Sequence, residues 1–177
     1  MRDIDGELEQ WLVSVAPRAI AYALSLVGHL QDAEDVVHDV ICRLISHREY
    51  DLPSDGEKLL FRSITNACIN RRTRARQIAS LDAASPEGVG LGDLIASDKY
   101  DDPVGIAMTE ELSDAIGREL ANLPPLQRAA VELRSLGRSL KEIGEILGIN
   151  AAHAGVLIHR GRELLSRRLA PYLQEKK

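Results

Sequence analysis

Apolar residues recur at intervals of three and four along two stretches, from about Leu8 to Arg76 and from about Glu110 to Leu173, and almost no segment alternates at period two. That spacing gathers apolar side chains on one face of a helix, so the pattern predicts an all-α chain with two small helical domains. In the first block, a helix from about Leu8 to Val27 stops at Gly28. A second, from about Asp32 to His47, carries the stripe Val36, Val37, Val40, Ile41, Leu44 and Ile45. Ser54 and Glu57 have capping-box spacing and open a third helix reaching about Arg76, with Leu60, Ile64, Ala67 and Cys68 facing inward.

The second block is punctuated more sharply. Leu123-Pro124-Pro125 starts a helix with proline in its first turn, where a missing N–H costs little, and Gly137 stops it. Ser139 and Glu142 form another capping box, Gly148 closes the short helix behind it, and Asn150 caps the last one. This is a helix-turn-helix, a standard way of presenting side chains to a DNA major groove. Its expected core is Leu123, Ala130, Leu133, Leu140, Ile143, Ile146, Leu147, Ile149, Ala154 and Ile158. Between the blocks, Ala79 to Asp102 holds Pro86, Gly88, Gly90, Gly92 and a series of acids with no amphipathic period, which reads as a flexible or extended acidic linker. The resulting division is 1–78, a linker over 79–109, and 110–177.

Charge complicates a DNA-binding reading, because the 177-residue chain carries a net −5 whereas phosphate contact favours basic surface. The charges are segregated. Asp32, Asp35 and Asp39 line the second helix opposite its apolar stripe, which fits either a solvated face or a surface meeting a basic protein. On the third helix, Arg62, Asn66, Asn70 and Thr73 share the polar side and lead into Arg71-Arg72-Thr73-Arg74-Ala75-Arg76. Such a run serves either solubility or a phosphate backbone with exposed bases beside it.

Scarce aromatics imply aliphatic cores, and two cysteines without metal-ligand spacing fit a reducing cytoplasm. Cys68 belongs to the buried stripe, while Cys42 lies near the carboxylates, where a redox role is conceivable. No apolar run is expected to cross a bilayer, so no membrane insertion is expected. No phosphate loop, nucleophile signature, metal set or cofactor motif appears, which leaves little support for an enzyme.

Taken together, these stretches resemble an extracytoplasmic-function (group IV) sigma factor of the sigma-70 family. Asp32-Ala33-Glu34-Asp35-Val36-Val37-His38-Asp39-Val40 resembles the region-two helix that docks on RNA polymerase. Leu60-Phe61-Arg62 through Asn66, with the arginines after it, resembles the promoter-melting helix. Leu123-Pro124 through Arg160-Gly161-Arg162 resembles region four. The resemblance implies a subunit for promoter recognition, DNA melting and transcription initiation, acting in the cytoplasm and nucleoid-associated when bound to polymerase. It places Asp32, Asp35, Asp39 and Arg43 on the clamp coiled coil of the polymerase β′ subunit, with the β flap as a second contact. It places Arg62, Asn66, Asn70, Arg71, Arg72 and Arg74 along minus-ten DNA, and the loop from Glu49 to Gly56 at a flipped base. For minus-thirty-five DNA it points to Arg138, Ser139, Lys141, Asn150, Ala152, His153, Val156, His159 and Arg160, with Arg162 and Arg167 as further phosphate anchors. An anti-sigma factor wedged between the domains is a partner the family also uses.

The recognition helix departs from the family pattern. Gly155 and Leu157 stand where lysine and arginine are common, and the outward face lacks the bidentate arginine that reads guanine, worth about 1–3 kcal/mol per good pair. Two other readings stand beside this one: a stand-alone helix-turn-helix regulator, which the weakly basic recognition helix counts against, and a sigma-like interaction module whose DNA reading has decayed, which Gly155 and Leu157 recommend. Duplex binding without polymerase separates the first. Insensitivity to charge reversal at Arg71, Arg72 and Arg74 separates the second.

Overall fold

The computed structural model describes residues 4–46, 52–79 and 103–174. Those residues form seven helices and no strand: α1 (Ile4–Val27), α2 (Leu30–Ser46), α3 (Leu52–Ala79), α4 (Pro103–Ala121), α5 (Pro125–Ser135), α6 (Leu140–Leu147) and α7 (Ala151–Gln174).

Helices α1, α2 and α3 pack on one another. The chain leaves α1 through Gly28, whose φ of 92° is a conformation that a side chain disfavours. By length and composition Gly6–Val27 could cross a membrane, contrary to the reading of the sequence. In the fold its apolar residues Val15, Ala19, Tyr22, Ala23, Leu24 and Leu26 instead form one wall of the core. Ala33, Val36, Val37, Val40 and Leu44 supply the face of α2, while Ile45, assigned to the same stripe, is 39% exposed. From α3 come Leu60, Phe61, Ile64 and Cys68. At the centre, Tyr22 meets Phe61 edge to face (5.2 Å between centroids) and its hydroxyl shares a 2.7 Å hydrogen bond with Thr65 Oγ1.

The third helix starts earlier than the capping-box spacing suggests. Positions 54–57 lie inside α3, which begins at Leu52 with Pro53 in its first turn, where proline is tolerated. Glu57 is not a cap residue; its carboxylate pairs with Arg18 of α1 at 3.0 Å and with Arg138. Of the loop expected over 49–56, residues 52–56 are therefore helical, and 49–51 lie outside the described residues.

In the second half, α5, α6 and α7 pack mutually and α4 covers α7. Helix α4 begins at Pro103, inside the stretch assigned to the linker. The predicted punctuation of the helix-turn-helix forms as expected. Ser139 Oγ accepts from Glu142 N, Glu142 Oε2 accepts from Ser139 N at 2.9 Å, Gly148 is left-handed at φ 69°, and Asn150 Oδ1 accepts from His153 N at 2.7 Å. The turn also needs Gly144, because a Cβ there would lie 2.7 Å from Ile149 O.

The two halves are not separate bodies. Helix α6 packs on α3, and α4 and α5 pack on α1, so buried residues of both halves join in one continuous core. Arg128 of α5, only 2% exposed, shares an apolar cavity with Leu26 of α1 and with Cys68 and Ile69 of α3.

Candidate polymerase and nucleic-acid interface

The polar side of α3 presents Arg62, Asn66, Asn70 and Arg71 to solvent. This follows from periodicity: with Leu60, Phe61, Ile64, Thr65 and Cys68 buried, positions spaced by four on the other side must face outward. Arg72 and Arg74 continue the helix, and their side chains lie outside the described residues. On α2, Asp35 and Asp39 are exposed, and Arg43 approaches Asp39 at 3.9 Å, a loose pair in high dielectric. Asp32 is drawn inward and pairs with Arg71 of α3. The acidic ridge and the basic stripe therefore meet at a seam that neither helix reveals alone.

The cysteines separate as expected. Cys68 is buried, and loss of solvation pushes its thiol up to about 12, against the opposing fields of Arg71 and Arg128. Cys42 is exposed, with its Sγ 3.7 Å from His38 Nε2.

On α7, Ala152, His153, Val156, His159 and Arg160 face solvent, whereas Ala154, Leu157 and Ile158 are buried. Leu157 thus occupies a core position, which accounts for an apolar residue there. Leu140, expected in the core, is 42% exposed. It borders a groove with Gly155, Ile158, His159 and Arg162, because the first position of α6 lies at the rim of the packed face. Lys141 is also exposed, while the Ser139 hydroxyl is engaged in the cap.

Arg138 is placed differently. Its side chain is 13% exposed, lies 5.5 Å from the centroid of the Phe61 ring, and pairs with Glu57 and Glu142. It is turned toward α3 rather than toward solvent. The pairing at Glu142 is reinforced by the cap. Hydrogen bonds from the Ser139 hydroxyl and N–H, then the Arg138 guanidinium, hold its carboxyl down at about 2. Glu132 on α5 moves the other way, since burial raises its carboxyl and Arg128 and Ser25 only partly oppose this. Arg18, Lys58, Arg128, Glu132 and Glu145, which build this junction with Glu57, carry no signal in sequence; each resembles an ordinary charge on a helix surface, and Glu57 offers only its capping-box spacing.

A helix-turn-helix joined to a helical bundle with segregated acidic and basic-polar faces defines a DNA-binding protein that also engages another protein. Comparison with known proteins makes this specific. Residues 11–78 match Sigma-70 region 2 and residues 113–165 match Sigma-70, region 4. The chain is 31% identical over 148 residues to the ECF RNA polymerase sigma factor SigW of Bacillus subtilis, covering 81% of this chain and 79% of that one. It is 32% identical over 164 residues to the ECF RNA polymerase sigma factor SigE of Mycolicibacterium smegmatis, covering 90% and 60% respectively. Its fold is similar to that of the sigma factor RpoE in complex with the anti-sigma factor NepR from Bartonella quintana, with TM-score 0.72 and 22% identity over 92% of this chain and 96% of that one. The chain belongs to the extracytoplasmic-function sigma factors of the sigma-70 family. It is an RNA polymerase sigma factor, serving promoter recognition and initiation.

Proposed function

We propose that the α2 ridge and the α3 stripe divide the work of the first domain between polymerase and DNA. Asp35, Asp39 and Arg43, with Asp32 at the edge, dock on the β′ clamp coiled coil. Arg62, Asn66, Asn70 and Arg71, continued by Arg72 and Arg74, run along minus-ten DNA. The observation that carries this reading is the seam, where Asp32 and Arg71 pair and opposite charges lie on adjacent helices. Acidic residues would repel DNA, whereas a basic protein surface attracts them. A polar-basic helix supplies phosphate contacts and amides for exposed bases; extruding a base costs a few kcal/mol of stacking, which those contacts together offset.

The face of α7, with Asn150 before it, supports minus-thirty-five contact through Ala152 and Val156 against thymine methyls and through His153, His159 and Arg160 as donors. Lys141 and the Ser139 end of α6 add backbone contact, and Arg138 joins them once released. The β flap holds this domain. The chain contributes recognition and melting while polymerase supplies the catalysis, so it acts in the cytoplasm and at the nucleoid when bound. An anti-sigma factor is a further partner in this reading, in keeping with the complex in which RpoE was solved.

The test is reconstitution. Core polymerase with this chain should initiate from a cognate promoter. Asp35→Lys with Asp39→Lys should weaken core binding by more than tenfold at unchanged helix content. Unchanged affinity would remove the ridge from the interface. A footprint on duplex DNA without polymerase would favour the stand-alone regulator instead.

A further inference from the structure

The outward face of α7 carries little permanent charge for a surface that meets DNA. Ala152, His153, Val156, His159 and Arg160 point to solvent there. At about 3.6 residues per turn these positions fall within roughly 120° of arc, with Val156 near the middle and a histidine on either edge. Arg160 is the one guanidinium among the five, so the other two hydrogen-bonding side chains are both imidazoles. A neutral imidazole offers one N–H and one acceptor nitrogen, whereas the imidazolium offers two donors and a positive charge. Phosphate oxygens and the N7–O6 edge of guanine only accept. The cation therefore suits them with both nitrogens, and the neutral ring with one.

The surroundings leave both rings open to a phosphate. His153 donates its backbone N–H to Asn150 Oδ1 at 2.7 Å, which fixes the first turn of α7 while the residue stays exposed. His159 lines a groove with Arg134 of α5 and with Arg162 and Glu163 of its own helix. Glu163 is held by Arg167 at 3.0 Å, and Arg134 Nη1 donates to the Arg138 carbonyl at 2.8 Å. The other charged groups of α5, Arg128 and Glu132, are buried toward α1. Helix α6 brings exposed Lys141, with Glu142 tied into the cap and Glu145 paired with Lys58. Helix α4 brings Glu119, which Arg168 holds at 3.0 Å. The carboxylates on the elements around α7 are thus engaged with other groups, and DNA supplies the anions that meet the two rings.

We propose that His153 and His159 are specificity-determining residues that make minus-thirty-five recognition proton-linked, binding phosphate and base strongly as imidazolium and weakly as neutral rings. The inference rests on the minus-thirty-five reading of α7 given above. Histidine is the side chain that ordinarily changes charge between about pH 5 and 8, and a phosphate beside it favours the charged form. DNA binding therefore takes up protons and strengthens as pH falls. The minus-ten stripe of Arg62, Asn66, Asn70, Arg71, Arg72 and Arg74 contains no histidine, so acid strengthens the upstream contact relative to the downstream one. An exposed charge pair is worth about two- to fivefold. Both histidines together raise the preference for a minus-thirty-five element by roughly four- to twentyfold between about pH 8 and pH 6.

The test uses preformed holoenzyme, core polymerase with the full chain, and two DNA fragments: a cognate promoter, and the same fragment with its minus-thirty-five element scrambled. The ratio of their dissociation constants, measured in the cold before melting, should rise by about fourfold or more from about pH 8 to pH 6. The salt slope on the cognate fragment should steepen by about 0.9 for each imidazolium that meets a phosphate. His153→Gln with His159→Gln should flatten the ratio across this range. His153→Lys with His159→Lys should hold it near the acid value at every pH. A ratio above one that does not vary with pH overturns the proposal and leaves the promoter reading intact. So does a glutamine pair as pH-sensitive as the native chain, since the titrating group then lies elsewhere, as at His38 on α2. A ratio of one at every pH removes the minus-thirty-five reading itself, and the proposal with it.

Discussion

Gly155 and Gly144 show how differently two glycines in one motif are constrained. A Cβ on Gly155 would make only ordinary contact with Leu140 Cδ1 at 3.8 Å, so nothing in the packing requires glycine there. Gly155→Ala should raise stability by about 1 kcal/mol through helix propensity, seen as a higher Tm. Gly144→Ala should instead destabilise by about 1–3 kcal/mol, as overpacking does, because the obstruction is the backbone oxygen of Ile149 rather than a movable side chain. If the two variants melt alike, the close approach of the α6–α7 turn is not what selects glycine. Leu157 carries the complementary lesson. In sequence it looks like a lost DNA contact, but in the fold it is a core residue only 8% exposed.

Among the elements, α6 is the one whose boundaries were most legible. Its cap, turn and closing glycine all act within a few residues, so local chemistry alone decides them. The same box fixes its response to acid. Glu142 is held at about 2, below an ordinary carboxylate near 4.3. A depressed folded value means that the stabilisation is present above the ordinary range and is lost as pH falls toward 2. Carboxyl resonances followed by NMR should show Glu142 titrating near 2, and Ser139→Ala should raise that midpoint. The capping-box spacing at Ser54 and Glu57 failed for a non-local reason. Glu57 has ion-pair partners on α1 and at the start of α6, and Pro53 supplies an alternative helix start. A match of spacing identifies what a side chain can do locally, not what competes for it across the fold.

At the scale of the molecule, net negative charge and DNA recognition are reconciled by segregation, with acids on α2 and basic and amide groups on α3. That division, the all-α class and the order of the two helical regions follow from the sequence by itself, because helical period and side-chain chemistry are properties of neighbours along the chain. Membership of the sigma-70 family was legible for the same reason, carried by short stretches that fold locally. What only the tertiary structure decided is where charged residues meet across distance. Arg138 is indistinguishable from a solvent-facing phosphate anchor until α6 rests on α3, and Lys58 and Glu145 are 87 positions apart along the chain yet 2.8 Å apart in the fold. Ion pairs of this kind depend on how helices pack, and periodicity records only which face of a helix is apolar. The domain that each helix supports could be read from its own stripe; the ion pairs between the domains exist only where two such surfaces come together.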